Sequence, residues 1–239
     1  MKQYKVIIFD ADHTVIDYLE DEKAVLRDLL PTLGIQPTEE TVTECDDISN
    51  ETWEEAGLNN VNDPYIQQHY HRLYVEHTED LFKNLFLRYP SNADPKATGL
   101  LFLEMLQRPS IPCEGAIEAL QALHGKYTIC IATNAITSLQ RPRLQSISQW
   151  IDHVYISEEV GFIKPLPPFF FKILDDLGVK KEECLMVGDS LSSDVAGANA
   201  SGIDSCWLNR SGRKNGTDIT PTYEIRSLQE LLSLLGENN

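Results

Sequence analysis

Two aspartates one residue apart, Asp10 and Asp12, end the apolar stretch "YKVIIF" inside the hexapeptide "FDADHT" at residues 9–14. Alternate side chains of an extended chain share a side, so the pair projects together where a strand would leave its sheet. Like charges about 4 Å apart repel by about 4 kcal/mol at an effective dielectric of about 20, unless one carries a proton or a cation lies between them. The pair asks for a metal or a proton, although a turn in which Asp accepts from local backbone accounts for the hexapeptide equally well. Three more groups fall at comparable places: Thr133 and Asn134 after "YTICIA", Lys164 in "SEEVGFIKP", and Asp189 and Asp194 in "VGDSLSSD". Singly, each has a structural reading as an N-cap, a surface lysine or a wet helix face. Those readings leave unexplained why four successive strand ends deliver, in order, two acids, Thr-Asn, a lysine and two acids.

The elements that must carry these groups follow from pattern. Short apolar strands are predicted at 4–9, 127–132, 153–156, 184–187 and 204–208, and helices at 115–125, 167–178, 192–202 and 227–236. Alternation of strand and helix implies a doubly wound parallel α/β sheet, whose chemistry belongs at the carboxyl ends of the strands. The interval from Tyr18 to Ser110 breaks the alternation. It reads as all-helical, punctuated by "LPTLGIQPT", "LNNVNDP" and "PSNADP". The expected organisation is a core of residues 1–17 and 111–239 with a helical insertion over 18–110, hinged near Asp17–Leu19 and Arg108–Pro112 because "RPSIP" breaks helix.

The 239 residues, 42% of them hydrophobic, suffice for a buried core, and no apolar run approaches a membrane span. A formal charge of −17 disfavours nucleic-acid polymers and anionic membranes as partners. A small phosphate ester is compatible with it, given a local positive site. The N-terminal stretch reaches aspartate before a secretory apolar segment could form, and the five cysteines, odd in number and scattered, read as reduced buried thiols, so a cytoplasmic location is expected.

With these motifs in view, the chain resembles the haloacid-dehalogenase-like (HAD) hydrolases over nearly its whole length. "DADHT" (10–14), "TN" (133–134), Lys164 and "GDSLSSD" (188–194) match that family's four signatures, and the helical insertion matches its mobile cap. The resemblance implies Asp10 as the nucleophile that becomes an aspartyl phosphate, and Asp12 as the group that protonates the leaving oxygen and then activates water. It implies Mg2+ held by Asp10, the backbone carbonyl of Asp12 and Asp189, with Asp194 supporting that set or Lys164. Thr133, the amide of Asn134 and Lys164 would bind phosphate oxygens. His13, Ala135 and Leu166 depart from the family pattern without removing a catalytic group.

Segments such as "SLQRPRLQ" and "ISEEVGFIKP" are further similar to the pyrimidine 5′-nucleotidase (YjjG-like) branch, which implies a pyrimidine nucleoside monophosphate as substrate; a monomer or dimer is expected. A phosphatase or mutase acting on a sugar phosphate is the alternative. Haloacid dehalogenation is disfavoured by Asp12, and a signalling receiver domain by chain length and by the position of the acids. In the insertion, Trp53, Tyr65, Tyr70, Tyr74, Phe82 and Phe86 read mainly as packing, and His69 and His71 as solvated. Arg72 and Arg143 read by default as solvent-facing, with either able to hold a sugar or base edge.

Overall fold

A computed structural model describes residues 3–237. Its centre is the strand anticipated around the first acid: β1 (Val6–Phe9), four apolar residues buried on both faces, as a central parallel strand requires. With β2 (Thr128–Thr133), β3 (His153–Ile156), β4 (Cys184–Gly188), β5 (Asp204–Leu208) and β6 (Tyr223–Ile225) it forms a six-stranded parallel sheet of order β3-β2-β1-β4-β5-β6. Ile8 of β1 is in register with Cys130 of β2 and with Met186 of β4. The chain runs outward through β2 and β3 and then returns to the other side of β1 as β4, so the order reverses beside β1. The carboxyl ends at such a reversal frame a crevice.

The alternation of β1 divides the core between the two faces. Ile7 and Phe9 pack with α5 (Ala116–Leu123) and α10 (Leu228–Leu235). Val6 and Ile8 pack with Phe169, Phe170 and Ile173 of α8 (Pro167–Leu177) and with Ala198 of α9 (Ala196–Ser201).

Between β1 and β2 the chain forms α1 (Tyr18–Leu29), α2 (Glu39–Glu55), α3 (Pro64–Arg88) and α4 (Pro95–Met105), with no strand among the described residues of 18–110. Each helix starts where a polar side chain accepts from a free backbone N–H: Asp17 from Glu20, Thr38 from Thr41, Asp63 from Tyr65 and Ile66, and Asp94 from Ala97. Leu26, Ile48, Leu81, Phe82 and Phe102 form the centre of a separate apolar cluster, which Ile136 and Leu139 join from the sheet side. A Cβ on Gly99 would lie 2.7 Å from Thr78 Oγ1, so glycine there lets α3 and α4 approach closely. The entry and exit of this helical segment run side by side, with Asp17 N–H donating to Ile111 O (2.8 Å) and Cys113 N–H to Val15 O (3.0 Å).

A short strand, the start of the helix at 192–202 and two short helices between β2 and β4 differ from expectation. The strand β6 was not foreseen, since three residues beside a helix carry almost no period. The helix expected over 192–202 opens as a π-helical turn at Leu191–Val195 before α9, a wide turn of the kind frequent at functional sites. The short helices α6 (Thr137–Arg143) and α7 (Ser157–Val160) complete the β2–β3 and β3–β4 connections.

Candidate active site

Asp10 leaves the sheet with its N–H still donating to Val187 O of β4 (2.9 Å), which fixes its carboxylate between two strand ends. Lys164 arrives from the connection after β3 and is buried. Its Nζ donates to Asp10 Oδ1 (2.6 Å), Asp194 Oδ1 (2.7 Å) and Ala132 O (2.6 Å), which satisfies all three ammonium hydrogens. Asn134 holds the lysine's backbone from both sides, donating Nδ2–H to Lys164 O (2.8 Å) and accepting from Lys164 N–H at Oδ1 (2.7 Å). The Asn134 side chain is thus engaged, leaving its backbone amide as the part that could meet a ligand.

Asp194 sits in the π turn, and its second oxygen accepts from Ser190 N–H (3.1 Å). A Cβ on Gly188 would lie 2.2 Å from that oxygen, so the end of β4 has room for the Asp194 carboxylate only because residue 188 is glycine. The Asp189 backbone carbonyl accepts from Trp207 Nε1–H (2.9 Å) and Arg213 Nη2–H (3.1 Å).

Three carboxylates, those of Asp10, Asp189 and Asp194, each present an oxygen within 4.8 Å of the others, and the Asp12 side chain is not among them. Burial, together with mutual repulsion, pushes Asp10 up to about 7 and Asp189 up to about 6, and raises Asp194 as well. Burial also opposes the charge on Lys164, yet Asp10 and Asp194 hold its ammonium above the ordinary lysine range. Three acids against one lysine leave a deficit of positive charge among hard oxygen donors, which fits a divalent cation such as magnesium. Asp194 already spends both oxygens on Lys164 and Ser190, so Asp10 and Asp189 have the freer ligand atoms.

Asp12 faces the other way. Its Oδ2 accepts from Gln140 Nε2–H (3.0 Å), and Oδ1 lies 2.7 Å from Arg143 Nη1. The same Gln140 donates to Thr133 Oγ1 (3.1 Å), leaving that hydroxyl its own proton to donate. Arg143 is therefore not the solvent-facing arginine expected from "RPRLQ": its side chain is 0% exposed and also pairs with Asp21 at 3.1 Å. Only the packing of α6 against α1 brings these groups together, and no local pattern encodes that. Arg72 does face solvent, paired with Glu76.

Asp10, Asp12, Thr133, Asn134, Lys164 and Asp189 share a cavity of about 600 Å³, whose far wall is supplied by the helices between β1 and β2. There Trp53 meets Tyr74 edge to face at 5.5 Å, and Tyr70 and Glu22 are among the residues lining the cavity beside them. Glu22 went unnoticed in the sequence. It is buried, accepts from Ser49 Oγ–H (3.0 Å), and is pushed up to about 7 by that burial. His13 lines the cavity with a left-handed backbone (φ 60°) and an edge contact to Tyr18. His71 is half-buried and bonds Ser157 Oγ (2.7 Å), which in turn accepts from Ala135 N–H (3.0 Å), so it is a bridge from α3 to the loop after β2 and not a solvated histidine.

Residues 4–202 match the family of haloacid dehalogenase-like hydrolases. The chain belongs to that family. This hydrolase is 30% identical to the pyrimidine 5′-nucleotidase PynA of Streptococcus pneumoniae over 239 residues, covering 98% of this chain and 96% of PynA. It superposes on the magnesium-bound crystal structure of the HAD-hydrolase YfnB of Bacillus subtilis with a TM-score of 0.84 at 27% identity, over 98% of this chain and 99% of that one. The L-2-haloacid dehalogenase RSc1362 shares the fold, with a TM-score of 0.75 at 18% identity over 98% of this hydrolase and 99% of the dehalogenase. The Rossmann-like sheet and the hydrolase class expected from the sequence are thereby established, and no helix among the described residues is long and apolar enough to cross a membrane.

Proposed function

We propose that this hydrolase is a magnesium-dependent phosphomonoesterase acting through an aspartyl phosphate on pyrimidine nucleoside 5′-monophosphates. The observation that carries the reading is the division of labour between the two strand-end acids: Asp10 is paired with Lys164 and grouped with Asp189 and Asp194, whereas Asp12 is turned away to Gln140 and Arg143.

Lys164 occupies Asp10 Oδ1, which leaves Oδ2 to attack phosphorus. As that P–O bond forms and the bond to the leaving oxygen breaks, a protonated Asp12 passes its proton to the leaving oxygen. Asp12, now a carboxylate, takes a proton from the water that attacks the aspartyl phosphate; the bond from phosphorus to Asp10 breaks, releasing phosphate and restoring both groups. The Thr133 hydroxyl and the Asn134 amide would donate to the phosphoryl oxygens, and the Lys164 ammonium, its hydrogens already engaged, would add positive charge beside them. Asp10 and Asp189, with the Asp12 carbonyl and support from Asp194, would hold magnesium, which would supply charge to offset both the phosphate and the crowded acids. The chemistry of an ester phosphate, and not of carbon–halogen displacement, accounts for keeping a second acid at position 12.

Residues 18–110 would act as a cap over residues 1–17 and 111–239, excluding water when closed. Trp53, Tyr70 and Tyr74 offer aromatic faces and edges to a base, and the likeness to PynA supports a pyrimidine there. The five buried free thiols fit a reducing compartment, the cytoplasm.

The test is a panel of phosphate esters with added magnesium. UMP and dTMP should exceed AMP, a sugar phosphate and p-nitrophenyl phosphate in kcat/KM. A sugar phosphate ahead by tenfold or more, about 1.4 kcal/mol of discrimination, would overturn the nucleotide assignment and leave the phosphatase assignment intact.

A further inference from the structure

Arg143 closes α6 with a fully buried side chain, and the chemistry above gives it no task. Its guanidinium nevertheless reaches several groups at once. Nη1 lies 2.7 Å from Asp12 Oδ1 and donates to Gln140 Oε1 (2.8 Å), and Nη2 donates to Asp21 Oδ2 (3.1 Å). The guanidinium carbon stands 4.9 Å from the centre of the Tyr18 ring, a cation–π contact. Gln140, ordered by Arg143, holds the second oxygen of Asp12. Both carboxylate oxygens of Asp12 are thus located from α6. Oδ1 is buried against Arg143, whereas the Asp12 side chain as a whole is 26% exposed and lines the cavity, so Oδ2 is the oxygen within reach of a reacting atom.

The same cluster touches both crossings into the helical segment. Asp21 Oδ1 accepts from Ile111 N–H (2.9 Å), and the Arg143 carbonyl accepts from Ser110 N–H (3.0 Å). Tyr18 and Asp21 are in the first turn of α1, where the chain enters that segment. A planar guanidinium can fix two carboxylates and an amide at set angles, whereas an ammonium is a point charge without that fork.

We propose that Arg143 is the positioning residue for Asp12, aiming its carboxyl at the leaving oxygen and, through Asp21 and Tyr18, tying that aim to the placement of α1. The inference rests on the reading of Asp12 as proton donor. A purely structural arginine would need Asp21 alone; the consequence specific to positioning is a defect that grows with the leaving group's need for a proton.

The experiment measures the pre-steady-state release of phenol from phenyl phosphate and of p-nitrophenol from p-nitrophenyl phosphate by the magnesium-loaded full-length protein. The first leaving oxygen needs protonation far more than the second. Asp12→Asn should slow phenol release by roughly 10²–10⁴-fold and spare the p-nitrophenol burst. Arg143→Met should show the same selectivity, with phenol release slowed by roughly 10²-fold and KM little changed. The double variant Arg143→Met with Asp21→Asn removes the buried cation and its buried anion together, and should behave alike even if the single variant folds poorly. Equal slowing of both substrates, or no slowing of either, would overturn the positioning role while Asp12→Asn remained selective. Loss of selectivity in Asp12→Asn itself would instead overturn the proton-donor reading, and the inference with it.

Discussion

The two walls of the cavity are built on opposite principles. The floor comes from strand ends, and its charges are assigned: Lys164 lies between Asp10 and Asp194, and Arg143 between Asp12 and Asp21. The roof comes from helices and carries rings and acids, Glu22, Asp46 and Glu54, with no lysine or arginine of its own among the lining residues. On the proposed reading, the charge on the floor would receive a phosphoryl group. The roof would accept something flat or rich in hydrogen-bond donors and disfavour further negative charge. On that reading chemistry and selection would be separated in space, and a substitution in one wall should leave the other's signature readable.

The largest effect is expected from breaking the floor. Lys164→Met leaves Asp10 and Asp194 buried without their cation, which should abolish turnover and lower stability by roughly 3–5 kcal/mol, as removing one partner of a buried ion pair does. Wild-type turnover in this variant would show that Lys164 is structural.

Metal removal probes the same wall by titration. Without metal, Asp10 is raised to about 7 and Asp189 to about 6, both above the ordinary carboxylate range of an unfolded chain. The folded state then binds protons more tightly than the unfolded one, so stability is full at low pH and declines as pH rises from about 4 to about 7. In EDTA the melting temperature should fall across that window, and magnesium at pH 8 should restore it. A melting temperature indifferent to magnesium at pH 8 would contradict the floor's charge deficit.

The roof has its own titration. Glu22, raised to about 7 by burial, costs stability above that pH. Glu22→Gln should therefore be more stable than the parent at pH 8, by up to about 3 kcal/mol from the linkage of one shifted carboxyl, with the advantage gone near pH 4. Urea denaturation at the two pH values reads the difference; an advantage of equal size at both would point to packing. A smaller effect concerns selection. The acids of the roof should disfavour a nucleoside diphosphate against the monophosphate by roughly tenfold in kcat/KM, about 1.4 kcal/mol, and Glu22→Gln should narrow that gap. A diphosphate preferred by the parent would mean that the roof's acids do not face the substrate.

The same contrast explains what the sequence disclosed. Asp10, Thr133 and Asp189 sit at or just past the ends of short continuous apolar runs, and backbone topology brings them with Lys164 to one end of the sheet, so their order along the chain was enough to single them out as candidates. The five longer strands were legible for the same reason, while β6 was too short to show a period. The helices over 18–110 announced themselves through N-caps such as Asp63-Pro64 and Asp94-Pro95. Which of their side chains face the cavity depends on how α1, α2 and α3 pack against one another, and Glu22 in "YLEDEKAV" has nothing to set it apart from the surrounding surface acids. The burial of Arg143 is invisible in the sequence for a related reason. In "QRPRLQ" it is one of two arginines two residues apart: Arg141 pairs in the open with Glu159, and Arg143 is swallowed between α6 and α1.

On the proposed mechanism a carboxylate oxygen of Asp10 holds the phosphoryl group between the two steps. Acid quench of a magnesium-loaded Asp12→Asn variant during turnover of p-nitrophenyl phosphate, followed by proteolysis and mass spectrometry, should find a phosphoryl adduct on the peptide containing Asp10, absent when Asp10 is also replaced by Asn. Steady turnover with no adduct on that peptide at any quench time, or an Asp10→Asn enzyme that still hydrolyses the ester, would contradict it.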